Sequence, residues 1–278
     1  MPRTPEEAAQ IIMRYTPEAC QEQNQFMAEV FQTRGGRIGS GMGGVIEALW
    51  GFYLNRILLR EGVTDIQLAW IYGHEYNDFA CIDIASEWDP ETRQGEFLRI
   101  EVKSMVASAD ESKAHFDRLS SEFLPDELLA VFLWDWAPST ATANLVHPRI
   151  HDQFINKATG VAALRDALHI NRGGTFVVDG HCPDNCAPGT CSHVHEPLNS
   201  AGKRERISGP ISTRGTGKSS YAANFGGLLR MLTSRGATAA TGARIIEEHM
   251  ASNASANEYV RFMARNYSRI SRRNKFET

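Results

Sequence analysis

The chain has 278 residues, 42% of them hydrophobic and 22% charged, which excludes a disordered chain and allows one large globular domain or a core with a small appended module. No apolar run approaches the roughly 20 residues of a membrane-spanning helix, and the opening MPRTPEEAAQ lacks the charged and apolar stretches of a secretory signal, so no membrane partner and a cytoplasmic location are expected. The net charge of −4 hides an asymmetry: residues 199–278 hold 14 Lys and Arg against 5 Asp and Glu, while residues 1–198 hold 15 against 28. A basic part on an acidic body suits a polyanion bound on one side, the plainer reading being a solvated basic surface.

Residues 5–33 read as a largely polar helix with apolar positions such as Ile12, Phe26 and Met27. The glycine cluster Gly35, Gly36, Gly39, Gly41, Gly43 and Gly44 marks a loop or a close backbone approach. From 45 to 60 the residues Ile46, Leu49, Trp50, Tyr53, Leu54, Ile57 and Leu58 recur at helical spacing, which places Glu47 in the first turn of a buried helix. Strands are expected over 67–72, 79–85 and 97–104, the last two joined by the turn-rich loop 88–95. Residues 110–121 read as a helix with an acidic start, and LLAVFLWDW over 128–136 as a central strand. Residues 149–169 read as a helix, 175–179 as a short strand, 226–235 and 241–250 as helices, and 256–275 as a last helix or tail. This order implies an α/β (α+β) fold, a mixed central β-sheet flanked by helices. The expected division is a core over 1–180 and a mainly helical basic part over 181–278 packed on it.

The most informative stretch joins Asp78 and Asp83 to Arg99-Ile-Glu101-Val-Lys103. In a strand, positions 101 and 103 share one face, so a carboxylate and a lysine point together from an otherwise apolar segment. Burying that pair without purpose costs several kcal/mol of hydration for each ion. A neighbouring strand carries Asp78 and Asp83. Oxygen ligands of this kind suit Mg²⁺, which keeps several waters and binds phosphate oxygens, while a lysine can orient water or offset charge on phosphorus.

Asn77-Asp78, a spacer, then Glu101-Val102-Lys103 resembles the PD-(D/E)XK nuclease motif of type II restriction endonucleases and related DNA-cleaving enzymes. The resemblance covers roughly residues 45–136, in the order helix, strand hairpin, helix, strand, and implies a restriction-endonuclease-like core. It implies that Asp78 and Glu101 are Mg²⁺ ligands with the Val102 carbonyl, that Lys103 orients the water, and that Glu47 is the acidic residue on the preceding helix. Asn77 stands where the family has Pro. Symmetry of the hairpin about Thr92 would place Asp83 opposite Glu101, whereas an aspartate opening its strand favours Asp78, which is preferred. Glu111, Lys113 and His115 follow on the next predicted helix, and Lys113 is a candidate phosphate contact.

His181, Cys182, Cys186, Cys191, His193 and His195 crowd into 15 residues. Three cysteines so close cannot all pair with one another, whereas thiolate and imidazole are the ligands of structural Zn²⁺. Cys182, Cys186, Cys191 and one of His193 or His195 would complete a zinc-bound loop, and Cys20 and Cys81 are expected as small core residues. Beyond it, Lys203, Arg204, Arg206, Arg214 and Lys218 form a basic stretch suited to phosphate contacts. Gly217-Lys218-Ser219 lacks the earlier glycine of a phosphate loop, Ser212 standing there, so nucleotide hydrolysis is not expected. Arg261, Arg265, Arg269 and Arg272 line one face of the last helix, with Arg273 beside them, as a DNA-backbone ridge or a pairing surface for acidic residues.

The resulting expectation is a Mg²⁺-dependent deoxyribonuclease with a structural Zn²⁺, acting on double-stranded DNA and forming a homodimer, since cutting both strands takes two sites. The alternatives are a zinc-organised, non-catalytic nucleic-acid-binding protein, and a nuclease on RNA or on modified or damaged DNA.

Overall fold

In the computed structural model, Thr4 opens helix α1 (Pro5–Val30) with a reciprocal cap. Its hydroxyl accepts from the Glu7 N–H at 3.2 Å, and the Glu7 carboxylate accepts from the Thr4 N–H at 2.8 Å. Pro5 at the first helical position has no amide to leave unpaired. Residues 3–34, 39–71, 77–107, 120–140, 144–171, 177–178, 203–204, 211–214, 219–222 and 239–270 are described. The chain divides into two compact units: one of Met1–Ser112, Phe123–Thr159 and Glu258–Thr278, the other of Lys113–Glu122 and Gly160–Asn257.

In the first unit, helix α2 (Gly39–Arg60) starts earlier than the hydrophobic pattern indicates and takes up Gly41, Gly43 and Gly44. Helical glycine costs about 0.5–1 kcal/mol each relative to alanine, so packing has to offset it. Two positions show such packing. A Cβ on Gly43 would lie 2.6 Å from Ser104 Oγ, and one on Gly51 would lie 2.5 Å from the Phe79 ring. Within the cluster, close approach is seen at Gly43, whereas Gly41 and Gly44 have nothing within 4 Å. Glu47 therefore sits two turns inside the helix rather than in its first turn.

Five strands follow: β1 (Ile66–Trp70), β2 (Phe79–Asp83), β3 (Glu96–Val106), β4 (Leu128–Pro138) and β5 (Val146–Lys157), in spatial order β1-β2-β3-β4-β5. β3 and β4 are parallel and every other pair is antiparallel, so the sheet is mixed. The parallel pair needs a crossover, supplied by residues 107–127. The helix expected over 110–121 falls mainly outside the described residues; Ser120–Glu122 form a 3-10 turn.

Residues 149–157, expected as helix, are strand. Ile150, Phe154 and Ile155 lie at helix-like spacing, but a bulge at Leu133/Trp134 shifts the β4–β5 register and breaks the simple alternation. Helix begins only at α3 (Ala158–Asn171), where the Ala158 N–H donates to the Glu127 carbonyl at 2.8 Å. The main core lies between the sheet and α1–α2, with Trp50, Ile46 and Leu54 against Phe79, Ile100, Val102, Phe132 and Trp134. Cys20 and Cys81 are buried free thiols, and burial pushes the Cys81 thiol up to about 12.

The second unit holds most of α3 and a small antiparallel sheet of β6 (Val177–Val178), β7 (Lys203–Arg204), β8 (Ile211–Arg214) and β9 (Ser219–Ala222), in order β6-β9-β8-β7. It also holds α4 (Ala239–Ser252). The reading of the part after residue 180 as mainly helical does not foresee this small sheet, while most of the described residues there are helix. Asn253 then caps α5 (Ala254–Ile270), accepting from the Ala256 N–H at 3.0 Å. From Glu258 onward α5 belongs to the first unit. There Tyr259 and Phe262 are buried against Phe154 of β5. Among the described residues no helix is long and apolar enough to cross a membrane.

Candidate active site

The site forms where β2 and β3 part. Asn77 enters β2 with φ 89°, a left-handed conformation that asparagine tolerates better than most residues. This turns its N–H onto Glu101 Oε2 at 2.8 Å. The Asp78 N–H continues the ladder to the Ile100 carbonyl at 3.0 Å, and the Asp78 carbonyl accepts from the Ile71 N–H at 3.0 Å. One step on, the carboxylate takes over from the backbone: Asp78 Oδ2 accepts from the Val102 N–H at 2.7 Å. Asp78 is thereby fixed beside Glu101 through main-chain geometry.

On β3 the side chains alternate. Val102 turns toward the core, while Glu101 and Lys103 share the other side and form an ion pair. Glu101 is only 4% exposed. Burial pushes its carboxyl up, and Asp78 adds to this; Lys103 and the Asn77 amide oppose them, for a value of about 7. Burial alone would lower the Lys103 ammonium, but Glu101, Asp78 and Glu47 outweigh it and hold it above the usual range. Glu47, approaching from α2, is pushed up to about 8 by burial, then by Asp78 and Glu101, against the pull of Lys103. Three carboxyl groups thus face one ammonium. Like charges so close resist joint ionisation, and the cluster retains protons near neutral pH.

Asp83 lies at the far end of β2. Its N–H donates to the Gly95 carbonyl at 2.9 Å, and its carboxylate accepts from the Ala85 N–H and the Ser86 hydroxyl at 2.9 and 2.7 Å. The pairs Phe79↔Ile100 and Cys81↔Leu98, with a bulge at Cys81/Ile82, centre the hairpin near Asp89–Pro90 rather than Thr92. The expectation from symmetry that Asp83 faces Glu101 is therefore corrected. At the same turn the nearly buried Arg99 guanidinium donates to Glu96 Oε2 at 2.8 Å, and Arg93 bridges Glu96 and Glu127, bracing the base of β3. Asn77 was noted in the sequence only as a departure from the family motif, although it orients Glu101. Its side-chain amide nitrogen is buried without a hydrogen-bond partner.

The basic residues divide. Arg265 pairs with Asp152 of β5 at 2.5 Å and lies over the Phe262 ring, so it serves internal docking. Arg261 and Arg269 are exposed on the same helix. Lys203 and Arg204 are on β7 and Arg214 on β8. Lys113, Arg206, Lys218, Arg272 and Arg273 lie outside the described residues, as do Glu111, His115 and the predicted zinc ligands Cys182, Cys186, Cys191, His193 and His195.

Among the described residues no group of three or more His, Cys, Asp or Glu is arranged to hold a metal ion. The Glu101 carboxylate is turned onto Lys103, whereas among the described residues the Glu47 carboxyl makes no hydrogen bond and Asp78 Oδ1 accepts none. Compared with known proteins, the chain matches no family model, no curated protein and no solved structure.

Proposed function

We propose that the chain is a divalent-metal-dependent endonuclease that hydrolyses DNA phosphodiester bonds, of restriction type. The observation that carries this reading is the convergence of Asp78, Glu101 and Lys103 from two adjoining strands, with Glu47 arriving from α2. The succession α2, β2–β3 hairpin, crossover and parallel β4 supports it, because the motif resemblance implies that order.

The chemistry of the donors, rather than their present arrangement, suits a hard dication. Three carboxyl groups against one ammonium leave excess negative charge, which the fold offsets by raising proton affinity at Glu47 and Glu101. Asp78 and Glu101, with the Val102 carbonyl, would hold Mg²⁺, and Glu47 would stand behind them. When bound, that ion lowers the pKa of a coordinated water and offsets charge on the phosphate. The chain's own residues do the rest. The Val102 and Asn77 amides hold the two carboxylates in place. The Lys103 ammonium, kept charged by its neighbours, stabilises negative charge growing on a phosphate oxygen. Residues 181–195 would carry a structural zinc ion, and Lys203, Arg204, Arg206, Arg214 and Lys218 would contact the DNA backbone.

Supercoiled plasmid incubated with Mg²⁺ tests the reading. The parent and Asp83→Ala are expected to cut it, and Glu101→Ala and Lys103→Ala to lose at least about 100-fold in rate. Equal nicking by all four proteins would remove the assignment. The Lys103–Glu101 ion pair favours one other reading, a closed structural contact in a non-catalytic nucleic-acid-binding protein. That reading predicts DNA binding without cutting at any metal concentration.

A further inference from the structure

A cleft that the proposed chemistry does not use lies along the outer edge of β5, where α1 passes it. Two ties hold that edge to the end of the helix. The Asn24 side chain closes on Ile150, donating to its carbonyl at 2.9 Å and accepting from its N–H at 2.8 Å. Thr33, just past the helix, exchanges both backbone hydrogen bonds with Val146, at 2.9 and 2.7 Å. The cleft has a volume of about 570 Å³. Small-molecule sites span roughly 300–1,000 Å³. Its walls carry Gln21 and Gln25 from α1, Thr140 from the segment after β4, and His147, Arg149 and His151 from β5. All of these residues belong to the first unit.

The strand sets the basic groups in place. His147 and Arg149 share one face of β5. Trp134 pairs with Ile150 and Leu133 with Asp152, so His151 is the extra residue of a bulge, a device that re-aims a side chain. His147 is only 9% exposed, and its Nδ1 is buried without a hydrogen-bond partner. A buried polar atom left in that state calls for an explanation, and a ligand supplies one. Charge points the same way. Burial, then Arg269 of α5 and Arg149, hold the His151 imidazole below its usual value, with Asp135 opposing them. Burial and then Arg149 lower His147. Asp152, beside His151, is already taken by Arg265 and Asn266.

The cleft is remote from the carboxyl cluster. Glu101 pairs with Leu129 and His147 with Ala137, and from the rise of an extended strand those two positions are about 26 Å apart along β4.

We propose that this cleft binds a phosphate monoester of nucleotide size, its phosphate received by His147, Arg149 and His151. Two imidazoles and a guanidinium suit a group with several acceptor oxygens and two negative charges, and the Nδ1 of His147 gains the acceptor it lacks. A monoester suits the cleft better than a backbone phosphodiester. An imidazole so little exposed is reached by a group at the end of a molecule rather than by one held within a polymer.

The full chain is titrated calorimetrically with 2′-deoxyadenosine 5′-monophosphate and with deoxyadenosine. EDTA keeps divalent metal off the carboxyl cluster, so the result is independent of whether the chain cuts DNA. The nucleotide is expected to bind and the nucleoside not to. Arg149→Ala, and His147→Phe, which keeps a ring without its nitrogens, should each weaken nucleotide binding about ten-fold or more. Arg149 is exposed, so its removal keeps the test decisive if His147→Phe destabilises the fold. Arg56→Ala, which removes an equal charge from α2 outside the cleft, should change affinity less than about two-fold. No binding of the nucleotide, equal binding of the nucleoside, or an equal loss with Arg56→Ala and Arg149→Ala would overturn the proposal. Competition by an oligonucleotide with and without a 5′-phosphate separates the sources of the monoester. Displacement by the phosphorylated form alone makes the source a DNA end, and displacement by neither makes it a free nucleotide. Displacement by both alike would overturn the proposal, because a phosphodiester would then suffice.

Discussion

At the scale of single residues, the candidate site stores electrostatic repulsion, and pH exposes it. The Glu47 carboxyl is raised from an ordinary 4.5 to about 8. Between these values the folded chain binds more protons than the unfolded one, so its stability falls as pH rises. The contribution is fully present below about pH 4.5 and is lost through about pH 8. Glu47→Gln removes the group that must ionise. Without divalent metal, the variant is therefore expected to match the parent near pH 4.5 and to exceed it at pH 8.5, by on the order of 2 kcal/mol. Thermal melting across that range measures it, and a parallel pH dependence in the two proteins would contradict the assignment. Mg²⁺ should narrow the gap at pH 8.5 by stabilising the parent more than the variant, because the cation takes the place of the proton.

Among the elements, α2 shows what a sequence discloses and what it withholds. Its apolar spacing identifies the helix, but Gly41, Gly43 and Gly44 read as loop because propensity counts glycine against helix wherever it stands. A tertiary reason is visible at Gly43 and Gly51 only. Gly51 has the Phe79 ring where a Cβ would go, Gly43 has Ser104 Oγ, and Gly41 and Gly44 have nothing within 4 Å. Alanine at these positions should therefore act differently. Gly51→Ala is expected to destabilise by about 1–3 kcal/mol, since a ring braced by Trp50 cannot move aside. Gly43→Ala should be close to neutral, because rotation of the Ser104 hydroxyl offsets the gain in helix propensity. Gly41→Ala or Gly44→Ala should stabilise by about 0.5–1 kcal/mol. Chemical denaturation of the variants gives the ranking, and equal effects at all positions would refute this account of the helix. The same limit applies to β5 and to the hairpin. Alternation and turn residues located β2 and β3, yet bulges at Cys81/Ile82 and Leu133/Trp134 set the registers, and a bulge leaves no mark in residue type. Glu101 and Lys103 could be placed together from strand periodicity alone, whereas the choice of Asp78 over Asp83 needed the pairing itself.

Over the whole molecule, the charge asymmetry is only partly available to a polyanion. Arg265, which the sequence assigns to a basic ridge, is tied to Asp152, and α5 buries Tyr259 and Phe262 against the strand beside it. Part of the C-terminal positive charge thus binds the chain to its own acidic residues. Salt dependence separates the two uses. Each Lys or Arg that neutralises a DNA phosphate releases counterions and steepens the fall of log affinity with log salt by about 0.9 on duplex DNA and about 0.7 on a single strand. If Lys203, Arg204, Arg206, Arg214 and Lys218 are such contacts, replacing them singly with alanine should flatten the slope by roughly that amount each. Arg265→Ala should leave the slope unchanged, because its partner is a carboxylate of the same protein. Mg²⁺-dependent thermal stabilisation should stay at the parental level in all six variants, since none of the six is a member of the carboxyl cluster. Loss of affinity at an unaltered slope would assign the five residues to folding rather than to phosphate. Flattening by Arg265→Ala would show that its pairing with Asp152 gives way when DNA binds.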